Sequence, residues 1–302
     1  MKGFDRVVAD LKALRIQGAE AVARESVRAL YHVLTNSKAH NASNLLRELR
    51  LAKNELVKTR PTEPCMRNAL DFVLSGIARE RDLIAMAKML DKRMIDVFEH
   101  FKMAEEKIRT IGSKKIKNNY VVFTHCHSST VIGILLEAKK RNKRFDVHNT
   151  ETRPLFQGRI TARELAKAKI KVSHYIDSAV RLAMKKADIC LFGADAIQSD
   201  GSIVNKIGTE LFVEIANKYE VPVYFCTDSW KFDPRSIYGV DEPIENRKRA
   251  EVWKNAPMNI MIHNPAFEII EPTKASGVIS ELGIYRPGVF VEEVRRVYSW
   301  LV

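Results

Sequence analysis

The sequence predicts an α/β protein, with a helical N-terminal domain over residues 1–112 and a parallel-sheet C-terminal domain over residues 119–302. Three observations carry this. Residues 4–111 keep apolar spacings of three and four, with no convincing strand. A polar, basic link over residues 111–119, containing Lys114-Lys115-Ile116-Lys117, ends that pattern. Beyond it, short apolar runs alternate with helical stretches of about ten residues or more, which implies βαβ units and a doubly wound parallel sheet. A chain of 302 residues has room for two cores at about 150 residues each.

In order, Phe4, Val7, Val8, Leu11 and Leu14 define a first helix that breaks near Gly18. Further helices are expected over 19–35, 42–59 and 63–76. A long fifth helix, 79–109, carries Leu83, Ile84, Ala87, Leu90, Met94, Val97, Phe98 and Phe101 on one side, which is a core stripe. Strands are expected over 121–124, 145–149, 172–176, 189–192 and 221–226, because each is a short apolar run bounded by polar or turn residues. Helices over 129–140, 161–169, 179–187 and 210–218 fall between them. Runs at 260–262 and 277–280 add two strands, and 289–300 a closing helix.

The net charge is +13, and +9 of it lies within residues 1–118. Such a balance points to anionic partners. The Lys and Arg are scattered along helices without interleaved aromatics, so phosphorylated metabolites fit better than nucleic acid. No apolar run approaches the ~18 residues of a spanning helix, and Met1-Lys2-Gly3-Phe4-Asp5-Arg6 is no signal-peptide core, so a cytoplasmic protein is expected. Cys65, Cys126, Cys190 and Cys226 form no CxxC pair, which argues against a zinc site or a disulfide framework.

The chemistry gathers at predicted strand ends. Phe192-Gly193-Ala194-Asp195-Ala196 closes one strand, and Asp200-Gly201 marks a turn. Asn205-Lys206-Ile207-Gly208-Thr209 then leads into a helix. A carboxylate, an ammonium and a glycine beside a helix N-terminus suit a phosphorylated ligand; a turn with a capping Asp and a surface Lys fits the same residues. Other strand ends offer His125-Cys126-His127-Ser128-Ser129, then Glu151-Thr152-Arg153-Pro154 with Gln157-Gly158, and Thr227-Asp228-Ser229 with Lys231. In a doubly wound sheet these ends line one crevice. Arg15, with Gly18, and Arg60, before Pro61, sit at helix breaks where the backbone can turn toward a ligand.

Cys126 precedes a helix that Ser128 or Ser129 would cap, between two histidines, and that setting lowers a thiol's pKa. Cys190 and Cys226 read as core. No GxSxG elbow, GxGxxG loop or Walker lysine loop is present. What remains is a site without cofactor or metal that suits proton transfer on a phosphorylated substrate, with Cys126 and Asp195 as the acid–base pair.

These motifs together resemble a family uniting the regulatory subunits of translation initiation factor 2B with two sugar-phosphate isomerases. The isomerases act on methylthioribose 1-phosphate and on ribose 1,5-bisphosphate. The resemblance rests on Arg15-Ile16-Gln17-Gly18-Ala19, Thr124-His125-Cys126-His127-Ser128, Glu151-Thr152-Arg153-Pro154, Gly193-Ala194-Asp195, Asn205-Lys206-Ile207-Gly208-Thr209, Lys231-Phe232 and Asn264-Pro265-Ala266-Phe267, in that order. It implies a Rossmann-like C-terminal domain and homodimers, which in this family often assemble further, a hexamer built from three dimers being one such assembly. The isomerases keep a Cys and an Asp at the positions of Cys126 and Asp195, which the initiation-factor subunits generally lack. The first two motifs look closest to the archaeal branch acting on ribose 1,5-bisphosphate.

By that resemblance the reaction is aldose-to-ketose isomerisation to ribulose 1,5-bisphosphate, in AMP degradation. Asp195 would assist ring opening, and Cys126, as thiolate, would take the C2 proton. Arg15, Gly18, Ala19, Arg60, Arg153 and Lys206 would hold phosphates, while Gln157, Asn205 and Lys231 would complete the substrate pocket. Thr227-Asp228-Ser229-Trp230-Lys231 departs from relatives, which more often have a Glu and a Tyr there. The other role in the family is a non-enzymatic regulatory subunit binding initiation factor 2 or a nucleotide effector.

Overall fold

The computed structural model describes residues 2–240 and 244–301. Its first part is helical: α1 (Lys2–Lys12), α2 (Ala19–Asn36), α3 (Ala42–Thr59), α4 (Pro64–Leu74) and α5 (Leu83–Ser113). Three of these starts have a local cause. Asn41 caps α3 by accepting from the Asn44 N–H, Asp82 caps α5 through the Ala85 N–H, and Pro64 opens α4. The buried stripe of α5 runs through Met86, Leu90, Met94, Val97 and Phe101. Ile84, expected on that stripe, is exposed.

Helix α5 also continues four residues past the expected Arg109, into the stretch read as a link. The cause is packing. Ile108 joins the core beneath the sheet, and Gly112 lies so close to Ile134 that a Cβ there would stand 2.5 Å from its Cδ1.

The second part contains β1 (Tyr120–Thr124), α6 (Ser129–Lys140), β2 (Phe145–Thr150), α7 (Gly158–Lys167), β3 (Lys171–Tyr175), α8 (Val180–Met184) and β4 (Ile189–Gly193). After β4 come β5 (Ala196–Ile197), β6 (Ile203–Lys206), α9 (Thr209–Lys218), β7 (Val223–Cys226), α10 (Arg249–Val252) and β8 (Phe267–Ile270). The chain closes with β9 (Gly277–Ser280), β10 (Gly283–Tyr285) and α11 (Pro287–Val297). One sheet has the order β10-β9-β7-β4-β1-β2-β3, parallel throughout except for β10. This is a Rossmann-like arrangement, with apolar clusters on both faces, one around Phe192 and Phe225 and one around Val122 and Leu135.

From β1 the order runs one way through β2 and β3, and the other way through β4, β7 and β9. The reversal falls between β1 and β4, which pair in register Val122 to Ile189 and Phe123 to Cys190. A crevice therefore opens beyond the carboxyl ends of those two strands.

A second, antiparallel sheet, β5-β6-β8, was not foreseen. Asp200-Gly201 is the turn of its hairpin, and Asn205 and Lys206 lie in a strand paired with Phe267 and Glu268. The strand expected at 260–262 does not form; Ile260 and Met261 lie on an exposed loop. The helix expected over 179–187 shortens to α8, preceded by a 3-10 turn at Asp177–Ala179.

The helical part grips the sheet part through a 3-10 turn, Ser229–Lys231. Trp230 is buried in the helical core, stacked on His100 at 3.9 Å. The Asn68 amide donates to the Trp230 and Phe232 carbonyls, each at 2.7 Å. His100 Nε2 meets the Asp228 carboxylate at 3.1 Å. Among the described residues no helix is long and apolar enough to cross a membrane.

Candidate active site

A cleft of about 460 Å³ opens at the strand-order reversal, between the helical part and the sheet. Most of the residues singled out in the sequence line it. Cys126 and Asp195 do, as do Arg15, Gly18, Ala19, Arg60, Gln157, Asn205, Lys206 and Lys231. Arg153 does not. It is exposed, its Nη2 donates to the Val252 carbonyl at 3.2 Å, and its guanidinium lies 5.1 Å from the Phe156 ring centroid.

Cys126 follows β1 with φ at 63°, a left-handed conformation that costs a non-glycine residue about 1 kcal/mol. Two threonines hold it there: its N–H donates to Thr152 Oγ1 at 3.0 Å, and its carbonyl accepts from the Thr161 hydroxyl at 2.8 Å. Ser128 caps α6, as one of the two expected serines should. Gly193 allows that cap, since a Cβ there would stand 2.8 Å from Ser128 Oγ. Another close approach fixes Gly158, where a Cβ would fall 1.7 Å from the Thr150 carbonyl oxygen.

The thiol's protonation corrects the expectation. Burial pushes Cys126 up to about 11, against the opposing pull of Lys206, the His127 N–H and Arg247. Asp195 adds to the rise. The cation argument is right in sign, though the cations are Lys206 and Arg247 and not the flanking histidines, and burial outweighs it.

The flanking histidines serve different partners. His125 is buried and pushed down to about 4 by that burial, so it is neutral. Its Nε2–H donates to the Ile207 carbonyl at 3.0 Å, and its Nδ1 accepts from the Thr150 hydroxyl at 2.6 Å. This fastens the loop after β6 to β1 and β2. His127 Nδ1 lies 3.2 Å from Thr161 Oγ1, and burial lowers its pKa too.

Asp195 sits between β4 and β5, its N–H bonded to the Val204 carbonyl at 2.8 Å. Its carboxylate has no hydrogen bond or ion pair with any described residue, so it is available to a ligand. Lys231 reaches under it to the Ala194 carbonyl at 2.6 Å. Lys206 is 8% exposed, its ammonium 4.7 Å from the Phe267 ring centroid and without an ion pair among the described residues. Asn205 is positioned by Thr209, which accepts from its amide at 3.0 Å.

On the opposite wall, Gly18 stands at the N-terminus of α2 with φ at 88° and no side-chain cap. The first N–H groups of this helix, from Ala19 onward, are therefore open to an anion. Arg15 reaches Asp10 at 2.8 Å, and Arg60 is buried against Glu63 Oε1 at 2.5 Å.

Sequence reasoning missed Glu63 and Arg247. Both line the cleft, yet Glu63 is only the first residue of an expected helix and Arg247 lies outside every expected element. Glu63 is the residue just before α4, and only its neighbour Arg60 hinted at it.

Burial pushes Glu63 up to about 7, although Arg60 opposes it, and Glu63 Oε2 is buried without a partner among the described residues. Between pH 4.5, the ordinary value, and about 7, the folded protein keeps a proton that the unfolded chain has lost. Stability from this group therefore declines as pH rises through that window. In Glu63→Gln the decline is absent. The melting temperature of the wild type minus that of the variant should fall from pH 4.5 to 7 and then level off; a difference constant with pH would contradict the assignment.

Comparison with known proteins agrees with this geometry. Residues 15–287 match the initiation factor 2 subunit family. A ribose 1,5-bisphosphate isomerase of Thermococcus kodakarensis is 34% identical over 299 residues, covering 96% of this chain and 93% of that protein. Its counterpart in Methanocaldococcus jannaschii is 32% identical over 293 residues, covering 96% and 94%. Among solved structures, the translation initiation factor eIF-2B of Pyrococcus horikoshii superposes with a TM-score of 0.84 at 28% identity, covering 95% of this chain and 98% of that one.

Proposed function

The chain belongs to the initiation factor 2 subunit family, and from that membership we propose that it is a sugar-phosphate isomerase converting ribose 1,5-bisphosphate to ribulose 1,5-bisphosphate. The observation that carries the reading is the meeting of Cys126 and an unpaired Asp195 in one cleft, at the strand-order reversal, facing the open N-terminus of α2. A regulatory subunit would need neither the thiol nor the free carboxylate.

The reaction moves one proton from C2 to C1 and needs no redox partner. Burial keeps the proton on the thiol, and Asp195's charge helps to hold it there. We assign the first step to transfer of that proton from Cys126 to Asp195, which also removes the charge that disfavoured the thiolate. Asp195 then gives the proton to the ring oxygen as the bond from C1 to that oxygen breaks. The thiolate takes the C2 proton, and the electron pair of that bond forms the C1=C2 double bond of an enol. The thiol next delivers its proton to C1 while Asp195 removes the enol hydroxyl proton, leaving the ketone at C2. Returning that proton from Asp195 to Cys126 restores the starting state.

Arg60 and the N-terminus of α2 serve one phosphate, Lys206 the other, and Asn205 and Lys231 the sugar between them. In this reading the positive charge serves phosphates and assembly, as a homodimer that builds a hexamer, and not a nucleic-acid duplex. Arg153 is left out of the phosphate set, because its guanidinium is engaged outside the cleft.

The test is discrimination between the two sugars handled in this family. 5-Methylthioribose 1-phosphate lacks the C5 phosphate and leaves its buried cation unpaired. The expected kcat/KM ratio favours ribose 1,5-bisphosphate by on the order of 10²-fold or more, the value of a lost charge-assisted hydrogen bond in a buried site. Equal rates on the two sugars would refute the substrate assignment.

A further inference from the structure

Asn264-Pro265-Ala266-Phe267 belongs to the pattern that marks the family, yet nothing above gives it a task. Its contacts supply one. Phe267 lies under Lys206, the two being paired across β6 and β8. Asn264 and its neighbours hold a second strand of chain: the Arg247 N–H donates to the Asn264 carbonyl at 2.9 Å, and the Ala266 N–H to the Glu245 carbonyl at 2.8 Å. The Asn264 amide returns to the Lys248 carbonyl at 3.1 Å, and Asn246 bridges Pro265. The segment thus aligns two cations, Lys206 on one side and Arg247 on the other.

Arg247 is unusually placed for a loop arginine. Its side chain is 8% exposed, and its Nε is buried with no hydrogen-bond partner among the described residues. Among the described residues its one carboxylate partner is Glu245, in a long ion pair at 3.6 Å, beyond hydrogen-bond reach. It lines the main cleft and also a smaller one, of about 240 Å³, that opens beside Arg60 and Pro61. Its charge reaches the thiol, where it opposes the rise at Cys126. A buried guanidinium with a free donor, held over a cleft by a dedicated backbone contact, is a site for an oxyanion; planar N–H pairs match phosphate oxygens two at a time.

We propose that Arg247 is a phosphate ligand of the substrate, paired with Lys206 by the segment at residues 264–267. It takes the place that the sequence assigned to Arg153. The proposal rests on the bisphosphate reading for the identity of the phosphate, but the anion site itself does not depend on it.

Two variants test it, Arg247→Gln and Arg247→Lys, with folding checked by melting. With ribose 1,5-bisphosphate the Gln variant should show KM raised by about 10-fold or more and kcat changed by less than about 3-fold, the mark of lost binding and not of lost chemistry. The Lys variant, which keeps the charge and loses the fork, should fall between. Inorganic pyrophosphate, which needs no turnover, is the second arm: it should raise the melting temperature of the wild type and of the Lys variant more than that of the Gln variant. If the wild type turns over no sugar bisphosphate yet pyrophosphate discriminates in this way, the anion site stands and the substrate reading falls. A folded Gln variant with the wild-type response to pyrophosphate and an unchanged KM overturns the proposal.

Discussion

Cys126→Ser is expected to lower kcat by roughly 10³-fold or more while leaving binding of ribose 1,5-bisphosphate nearly intact, because a hydroxyl cannot supply the base that a thiolate does. Binding should survive because the groups proposed to hold the phosphates are elsewhere in the cleft: the α2 N-terminus, Arg60 and Lys206. The thiol's environment adds a second readout. With burial holding Cys126 near 11, the thiolate is scarce at neutrality and grows in proportion to hydroxide. Inactivation by iodoacetamide should therefore accelerate about tenfold per pH unit between pH 7 and 9, and substrate should protect. A plateau near pH 7 would mean that the thiol is already ionised. Cys190 and Cys226, which burial pushes further up, and Cys65, fully buried, should not account for the loss.

Asp195→Asn is the other large effect, a fall in kcat of about 10²- to 10⁴-fold for loss of a positioned acid–base group. No hydrogen bond or ion pair to a described residue goes with the carboxylate, so the melting temperature should hardly move. Ribose 1,5-bisphosphate should still raise it. The same variant should alkylate faster than the wild type at pH 8, since the charge that helps keep Cys126 protonated is gone. A purely structural Asp195 would show the reverse pattern, with stability lost, turnover kept and the alkylation rate unaltered.

Much of this molecule is visible in its apolar spacing. The α3 and α6 limits follow from the sequence alone, and the expected α2 nearly coincides with the structure, because each has a stripe to bury and a clear break at its ends. The crevice is visible too, since alternating short strands and helices dictate which strand ends must converge. What period cannot reveal is the hairpin after Asp195. Strand β5 is two residues long, and β6 owes its extended state to pairing with β8, some sixty residues away. That hairpin aims Lys206 and, through residues 264–267, Arg247.

Arg153 and Arg247 show the same limit from the site's side. Both are arginines near polar loops, and only the backbone path turns one outward and the other inward. At Cys126 the sequence shows the cap and the cations, but not the burial that outweighs them. Asp195, by contrast, could be placed from sequence because a carboxylate two residues beyond a buried strand has few directions to face.

The most direct measurement is the 31P spectrum of ribose 1,5-bisphosphate incubated with the purified protein, beside the same sample with Cys126→Ser. The wild type should convert both resonances to those of ribulose 1,5-bisphosphate with no inorganic phosphate released, and the variant should leave the sugar unchanged. An unchanged wild-type sample, release of phosphate, or equal conversion by the variant would contradict isomerisation by this cleft.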